Sequence, residues 1–225
     1  MNKTKIDWCD ATINPVVGCS RGCEYCYARK INDRFHIVPD FSKPQFFPER
    51  LKQFGSKKPK SIFVNSMSDA AEWSDEFIEA TCDAMKNNPQ HNYIFLSKDF
   101  EKLADGFNDY AREKGLNKLE DRLFLGLTFE GGDFYLGDYR PDFYNFEPLL
   151  NRIDFIDDIC GEGCALIIIG AETGNRHEKI IPHKEWIDDI VREADRCGIP
   201  VFMKESLRNI MGADFRQDKL IWATE

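Results

Sequence analysis

From residue 61 onward, short apolar runs alternate with longer amphipathic segments. The apolar runs are five to seven residues long, which is typical of buried strands. The segments between them repeat apolar residues at helical spacing. This pattern predicts strands at 61–67, 92–97, 123–128, 142–146, 164–170 and 200–204, and helices at 75–87, 100–114 and 184–197. Such alternation predicts βα units and a parallel sheet covered on both faces.

The first 60 residues follow a looser pattern. Residues 6–18 predict a first strand and residues 24–35 a helix. Residues 38–59 hold four prolines and predict an irregular segment with one short helix at 48–54. With about seven strands and no repeat or linker, the chain is expected to form one domain over residues 1–225. Its predicted fold class is α/β, a partial or nearly closed (β/α) barrel of mostly parallel strands.

The composition of the chain indicates the compartment in which the protein works. Hydrophobic residues make up 42% of the 225-residue chain and charged residues 31%, which is typical of a soluble globular protein. The longest apolar run, 165–169, is too short to span a bilayer, and the N-terminus lacks the apolar core of a secretory signal. We therefore expect a cytoplasmic protein without membrane contact. Eight cysteines in a reducing compartment favour metal or redox chemistry over disulfides.

The formal net charge of −9 argues against a non-specific polyanion binder, because phosphate contacts need clustered cations. One local basic cluster remains, made of Arg50, Lys52, Lys57, Lys58 and Lys60. It is interpreted either as a groove that contacts nucleic acid or as a solvated loop.

Three cysteines, Cys19, Cys23 and Cys26, follow the first predicted strand at C-x3-C-x2-C spacing, with Tyr25 directly before the third. Three thiolates can hold three irons of a [4Fe–4S] cluster and leave the fourth iron open. An open iron suits S-adenosylmethionine (SAM), whose amine and carboxylate can chelate it. Two alternatives stay open: a structural zinc site with Cys9 or His36 as fourth ligand, and ordinary buried thiols.

Polar residues follow almost every predicted strand, which is where parallel α/β barrels place their active sites. The candidates for binding SAM or substrate are Ser66, Ser68, Asp69, Lys98, Glu130, Gly170, Glu172 and Lys204.

Each candidate has an expected role. One of Ser66, Ser68 and Asp69 would accept the SAM ammonium, and Glu130 would bind the ribose hydroxyls. Residues 170–174, which contain Gly170 and Glu172, would let the backbone approach adenine or the methionyl carboxylate, unless they form only a tight turn. Lys98 and Lys204 would neutralise an anionic group, or each would pair with a neighbouring glutamate.

Beside the three-cysteine loop with Tyr25, several motifs appear in order along the chain: residues 10–15, the Cys-Tyr-Ala at 26–28, and residues 63–69, 147–150, 170–174 and 202–204. With them the sequence resembles the radical SAM superfamily. Over nearly its whole length it resembles a phage-associated, three-cysteine radical-SAM-like family of unknown function. The resemblance implies a radical SAM barrel, a [4Fe–4S] cluster on the three cysteines, SAM as cofactor, and a reductant protein of flavodoxin or ferredoxin type.

The sequence departs from that family in two ways. Its first cysteine gap is shorter than in many relatives, and it carries an extra pair, Cys160 and Cys164. That pair could join Cys9 or Cys197 in an auxiliary cluster, or be ordinary buried thiols. Cys82 is expected in a helix core.

Two hypotheses of different class follow. The favoured one is a radical SAM enzyme that cleaves SAM reductively and abstracts hydrogen from a nucleic acid or nucleotide, with a peptide or small metabolite as other substrate classes. The alternative is a non-catalytic binding module in which the cysteine loop holds zinc.

Overall fold

The computed structural model describes residues 2–115, 119–132, 139–154, 156–161, 164–173 and 176–223, apart from the side chains at positions 2, 3, 120, 157, 160 and 161. The strands are β1 Asn2–Lys3, β2 Ala11–Thr12, β3 Val16–Val17, β4 Gln45–Phe46, β5 Ser61–Phe63, β6 Asn92–Ser97, β7 Leu123–Thr128, β8 Phe143–Phe146, β9 Ile167–Ile169 and β10 Val201–Met203. The α-helices are α1 Tyr27–Phe35, α2 Asp75–Lys86, α3 Phe100–Lys114, α4 Ile156–Gly161, α5 Lys184–Cys197 and α6 Arg208–Met211. Short 3₁₀ helices lie at Pro48–Gly55, Ala70–Glu72, Glu120–Arg122, Glu205–Leu207 and Gly212–Asp214.

The main sheet has the strand order β1-β2-β5-β6-β7-β8-β9-β10. Only β1 is antiparallel to its neighbour among the pairings that the described residues form, and the other strands run parallel. The predicted class is therefore confirmed: an α/β fold whose strand order and direction are those of a partial (β/α) barrel.

The chain forms two compact units, one up to Leu125 and one over Gly126–Ala223. Strand β7 crosses this boundary in the sequence, and the single domain expected over residues 1–225 stays a prediction.

In the first unit the core lies between the sheet and helices α2 and α3. Phe95 on β6 packs edge-on against Phe107 of α3, with ring centroids 4.8 Å apart. Tyr93, on the same strand, meets Phe54 of the 3₁₀ helix at 5.3 Å. Helix α2 begins as predicted, because the Ser74 side chain accepts a hydrogen bond from Phe77 N and caps the first turn.

In the second unit the three isoleucines of β9 are fully buried, and Phe143 packs against Trp222 with centroids 4.7 Å apart. Helix α5 buries Ile187 and Ile190. It ends at Gly198, whose φ of 69° lies in the left-handed region, so the predicted C-terminal glycine is confirmed.

The N-terminal elements differ from the sequence prediction. The strand expected at 6–18 is two short strands, and β3 pairs with β4 outside the main sheet. Pro15 cannot donate to a strand ladder, and the Asn14 side chain instead accepts hydrogen bonds from Ser66 Oγ and Met67 N. The first helix begins at Tyr27 rather than at residue 24, because Cys26 caps it.

Within the described ranges, no helix combines the length and apolar composition needed to cross a membrane.

Candidate functional site

The three-cysteine loop begins where β3 ends, at Gly18. Its φ of 120° suits glycine, and a Cβ there would lie 2.9 Å from Lys43 O and 3.0 Å from Phe41 O. Gly18 N donates to Met67 O at 3.0 Å, and Cys19 N donates to Phe41 O at 2.7 Å. The first cysteine is therefore held by backbone contacts on both sides of the loop entrance.

Two carboxylates that follow β5 hold the middle of the loop. Glu72 accepts hydrogen bonds from the backbone N and the hydroxyl of Ser20, both at 2.8 Å. Asp69 accepts from Arg21 Nε at 2.8 Å and from Ser97 Oγ at 2.6 Å, and it is only 6% exposed. Since a buried carboxylate needs such partners, Asp69 ties the loop to the ends of β5 and β6.

The three thiols lie on a short, partly exposed stretch and form no disulfide. Cys26 is the N-cap of α1, and its Sγ accepts a hydrogen bond from Arg29 N at 3.4 Å. Cys19 Sγ lies 3.9 Å from Glu72 Oε1.

Cys19 has a perturbed acidity. Burial raises the pKa of its thiol to about 11, and the negative charges of Glu72 and Asp69 act in the same direction. A metal binds the thiolate form, so metal binding at Cys19 would release a proton.

Among the residues that the structure describes, no three His, Cys, Asp or Glu side chains stand together as a group that could hold a metal ion. The donor chemistry nevertheless fits an iron–sulfur cluster. Cys19, Cys23 and Cys26 offer three partly exposed thiols within eight residues, the last of them at a helix N-terminus.

Lys98, at the end of β6, contacts the cysteine loop. Its Nζ donates to Tyr25 OH at 2.6 Å, and its backbone N donates to Asp69 Oδ2 at 3.2 Å. Burial lowers the pKa of Lys98 to about 8; the positive charge of Arg21 adds to this, and Cys23 opposes it.

The serines after β5 also have defined partners. Ser66 Oγ donates to Asn14 Oδ1 at 3.0 Å, and Ser66 O accepts from Tyr27 OH at 2.5 Å. Ser68 Oγ accepts from Trp73 Nε1 at 3.1 Å. These contacts fix the strand end beside the loop and direct the hydroxyls toward protein atoms.

In the second unit, the ends of β8, β9 and β10 meet at an ion pair. Lys204 Nζ lies 2.5 Å from Glu147 Oε1, and a Cβ on Gly170 would lie 3.0 Å from Glu147 Cγ and 3.1 Å from Lys204 Cδ. The pairing with a neighbouring glutamate, one of the two alternatives for Lys204, is confirmed. A side chain at Gly170 would require both partners to shift by a few tenths of an ångström.

Glu172 is paired rather than open. Arg176 donates to both of its carboxylate oxygens, at 2.8 and 2.7 Å, and these hydrogen bonds lower the pKa of Glu172. The backbone oxygen of Glu130 accepts hydrogen bonds from Leu150 N and Asn151 N. Gly174, the last residue of the predicted 170–174 motif, lies outside the described residues.

A family of proteins of unknown function, DUF5131, matches residues 3–208, which is most of the chain. The chain belongs to the DUF5131 family. No curated protein matches it.

In this DUF5131 protein the predicted site residues fall into two groups. The first unit carries Cys19, Cys23, Cys26, Ser66, Ser68, Asp69 and Lys98, and contacts of Arg21, Tyr25 and Tyr27 link the loop region to Asp69, Lys98 and Ser66. The second unit carries Glu130, Gly170, Glu172 and Lys204.

Sequence reasoning missed three residues that shape the first group: Arg21, Glu72 and Ser97. Arg21 lies inside the cysteine loop, and Asp69 and Glu72 follow the next predicted strand. The opposite charges of the arginine and the two acidic residues indicate that the loop could pair with that strand end. No sequence signal indicates which acidic residue each loop position contacts, because that depends on the path of the strands.

Two of the remaining cysteines, Cys82 and Cys164, are buried in the protein. Cys82 is fully buried in α2, which confirms the predicted helix-core position. Cys164 is buried, its Sγ lies 3.2 Å from Leu166 O, and burial raises its pKa to about 11. The side chain of Cys160 lies outside the described part of the chain, so an auxiliary cluster on this pair stays a hypothesis.

Proposed function

We propose that this DUF5131 protein is a radical SAM enzyme. The observation that supports it most is the attachment of the C-x3-C-x2-C loop to the C-terminal ends of parallel strands, through Asp69, Glu72 and Lys98. Barrel enzymes place their reacting groups at this end of the strands. The spacing of the thiols matches the ligands of a cluster with one open iron.

In this proposal Cys19, Cys23 and Cys26 hold a [4Fe–4S] cluster. The cluster supplies the electron that splits SAM reductively, after which hydrogen is abstracted from a substrate. The chain itself supplies the thiolates, positions the loop through the Asp69 and Glu72 contacts, and ties it to the end of β6 through the hydrogen bond from Lys98 to Tyr25.

The contacts refine the expected SAM-binding roles. Asp69 already accepts hydrogen bonds from Arg21 and Ser97, so its main task is to position the loop. Lys98, whose ammonium lies beside Tyr25 in the same loop, is the better candidate for neutralising a carboxylate. Glu130, Gly170, Glu172 and Lys204 remain proposed for the ribose, adenine and substrate positions.

We also propose a flavodoxin- or ferredoxin-type protein as electron donor, since each reductive cleavage consumes one electron. A nucleic acid or nucleotide is the proposed substrate class, with peptides and small metabolites as the other classes. The side chains of Lys52, Lys57 and Lys58 are exposed, as phosphate contacts require. Arg50 is less available, because its guanidinium lies 4.0 Å from the Phe47 ring centroid and donates to Asn14 O.

The metal content of the protein tests this proposal. After anaerobic reconstitution with iron and sulfide, the chain is expected to bind about one [4Fe–4S] cluster. Cys19→Ala, Cys23→Ala and Cys26→Ala should each lose the visible absorbance and most of the iron. Cys197→Ala, which removes another partly exposed cysteine, is the matched control and should keep both.

Two results would contradict the assignment. Normal iron content in all three loop variants would show that the cluster lies elsewhere. A colourless protein that binds zinc through the loop would favour the binding module instead.

A further inference from the structure

Helix α1, which follows the cysteine loop directly, carries an exposed apolar stripe. Among the described residues five large apolar side chains are exposed, and three of them lie on α1: Tyr27 at 50%, Ile31 at 36% and Phe35 at 63% exposure. They are spaced four residues apart, so they share one face of the helix. An apolar row in water on an otherwise polar helix indicates a binding surface.

Two cations flank this stripe. Lys30 and Arg34 are exposed, and they lie three residues after Tyr27 and Ile31, which makes them neighbours on the helix surface. The Arg34 guanidinium lies 5.1 Å from the Phe35 ring centroid, and Tyr27 is oriented by the hydrogen bond from its hydroxyl to Ser66 O. The face therefore combines two aromatic rings with two positive charges.

The surrounding sequence has the opposite charge from the rest of the chain. Residues 21–60 contain ten Lys and Arg against four Asp and Glu, a net charge of +6, whereas the other residues hold 20 against 35, a net charge of −15. A polyanion is repelled by most of this protein and attracted only where the local charge is positive.

We propose that the face formed by Tyr27, Lys30, Ile31, Arg34 and Phe35 binds single-stranded nucleic acid. Bases stack on the rings of Tyr27 and Phe35, and phosphates contact Lys30 and Arg34. Surfaces that hold single strands combine aromatic platforms with cations in this way. An unpaired strand is required, because bases inside a duplex present no free face to a side chain.

The position of the face gives the bound strand a role. The helical rise places the Cα atoms of Tyr27 and Phe35 about 12 Å apart, which leaves space for more than one nucleotide. Tyr27 is adjacent in sequence to Cys26, so a base on its ring lies at the cysteine loop. This role as substrate rests on the proposed radical chemistry, but the binding itself does not require the cluster.

Binding is tested with the full-length chain, before and after reconstitution, by fluorescence anisotropy. The probes are labelled oligo-dT and oligo-U of roughly 12 nucleotides, measured at about 50 and about 200 mM salt. The wild type should bind at the lower salt and weaken steeply at the higher. Stronger binding of one probe identifies DNA or RNA as the source of the strand.

Substitutions at Phe35 separate base stacking from apolar docking. Phe35→Ala should weaken binding about 5- to 100-fold, through the loss of one stacked base. Phe35→Trp keeps a ring and should bind at least as well as wild type, whereas Phe35→Leu keeps only apolar area and should bind like Phe35→Ala. The control is Ile181→Ala, an exposed apolar residue of the second unit, which should change nothing.

The cations are tested through the salt dependence. Lys30→Gln and Arg34→Gln should each lower the slope of log affinity against log salt by about 0.7, the value for one phosphate contact on a single strand. Arg112→Gln, an exposed arginine on α3, should leave the slope unchanged.

Three outcomes would overturn the proposal: no binding of either oligonucleotide at low salt, no effect of Phe35→Ala, or wild-type binding by Phe35→Leu. Wild-type binding by Phe35→Leu would indicate that this face docks a partner protein through apolar contacts, such as an acidic electron carrier. A protein that forms no cluster but binds oligonucleotides through Phe35 would refute the radical chemistry and leave this surface standing. A cluster-loaded protein that binds no oligonucleotide would refute the nucleic-acid surface and leave the radical chemistry standing.

Discussion

At the scale of single residues, Asp69 connects the cysteine loop to two strand ends. Asp69→Ala would leave the Arg21 guanidinium and the Ser97 hydroxyl without this acceptor, so we expect a loss of about 2–4 kcal/mol in the free energy of unfolding. Urea denaturation monitored by circular dichroism measures it. Asp109→Ala, which removes a surface carboxylate paired with Arg112, is the control and should change stability little. Equal stabilities of the two variants would contradict the role of Asp69.

His91 should make stability depend on pH. It is fully buried, its Nε2 contacts Phe54 O at 2.9 Å, and its Nδ1 has no partner among the described residues. Burial lowers the pKa of His91, and the charge of Lys60 acts in the same direction. Because the unfolded state then binds the proton more tightly, stability should fall as the pH drops below about 6.5.

The test of His91 compares urea midpoints at several pH values. His91→Gln should flatten the slope below about pH 6.5, since glutamine does not titrate there. His36→Gln, at an exposed histidine, should keep the wild-type slope. An unchanged slope in His91→Gln would mean that another group titrates on unfolding.

At the scale of elements, the path of the cysteine loop depends on Gly18. Gly18→Ala would combine a left-handed φ with a Cβ about 3 Å from the backbone oxygens of Phe41 and Lys43, so we expect a loss of about 1–3 kcal/mol. Thermal unfolding measures it. Gly55→Ala is the matched control, because a Cβ there meets nothing within 4 Å. Equal melting temperatures would show that the entrance adapts without strain.

The basic segment is a second element with a testable role. Reversing Lys57, Lys58 and Lys60 to glutamate should weaken oligonucleotide binding by a similar factor for every sequence, because phosphate contacts position a strand without reading bases. SAM cleavage without substrate should be unaffected. Filter binding at two salt concentrations checks this. If the triple variant bound as tightly as wild type, the segment would be a solvated loop.

Elements with strong periodicity could be predicted from sequence almost to the residue. Strand β6, helix α3 and the Ser74 cap of α2 are examples, since local pattern and tertiary packing agree there. The N-terminal strand was predicted too long, because the Asn14 side chain interrupts it through contacts with residues more than 50 positions away. The partners of the cysteine loop could not be predicted for the same reason.

At the scale of the whole molecule, the net charge of −9 conceals a basic stretch at residues 21–60. That stretch contains Cys23, Cys26, helix α1 and the basic segment, so two of the three proposed cluster ligands and the proposed nucleic-acid contacts share one part of the chain. The fold class followed from the alternation of strands and helices alone. The sequence alone gives the basic stretch, but the structure is needed to show which of its charged side chains are exposed.

Reductive cleavage of SAM tests the central claim most directly. Reconstituted protein, incubated anaerobically with SAM and dithionite, should form 5′-deoxyadenosine and methionine slowly even without substrate, as measured by liquid chromatography and mass spectrometry. A variant with Cys19, Cys23 and Cys26 all replaced by alanine should form neither, and Cys197→Ala should match the wild type. If the wild type bound SAM but yielded only S-adenosylhomocysteine, or formed no 5′-deoxyadenosine above the level of the triple variant, the radical SAM account would be contradicted.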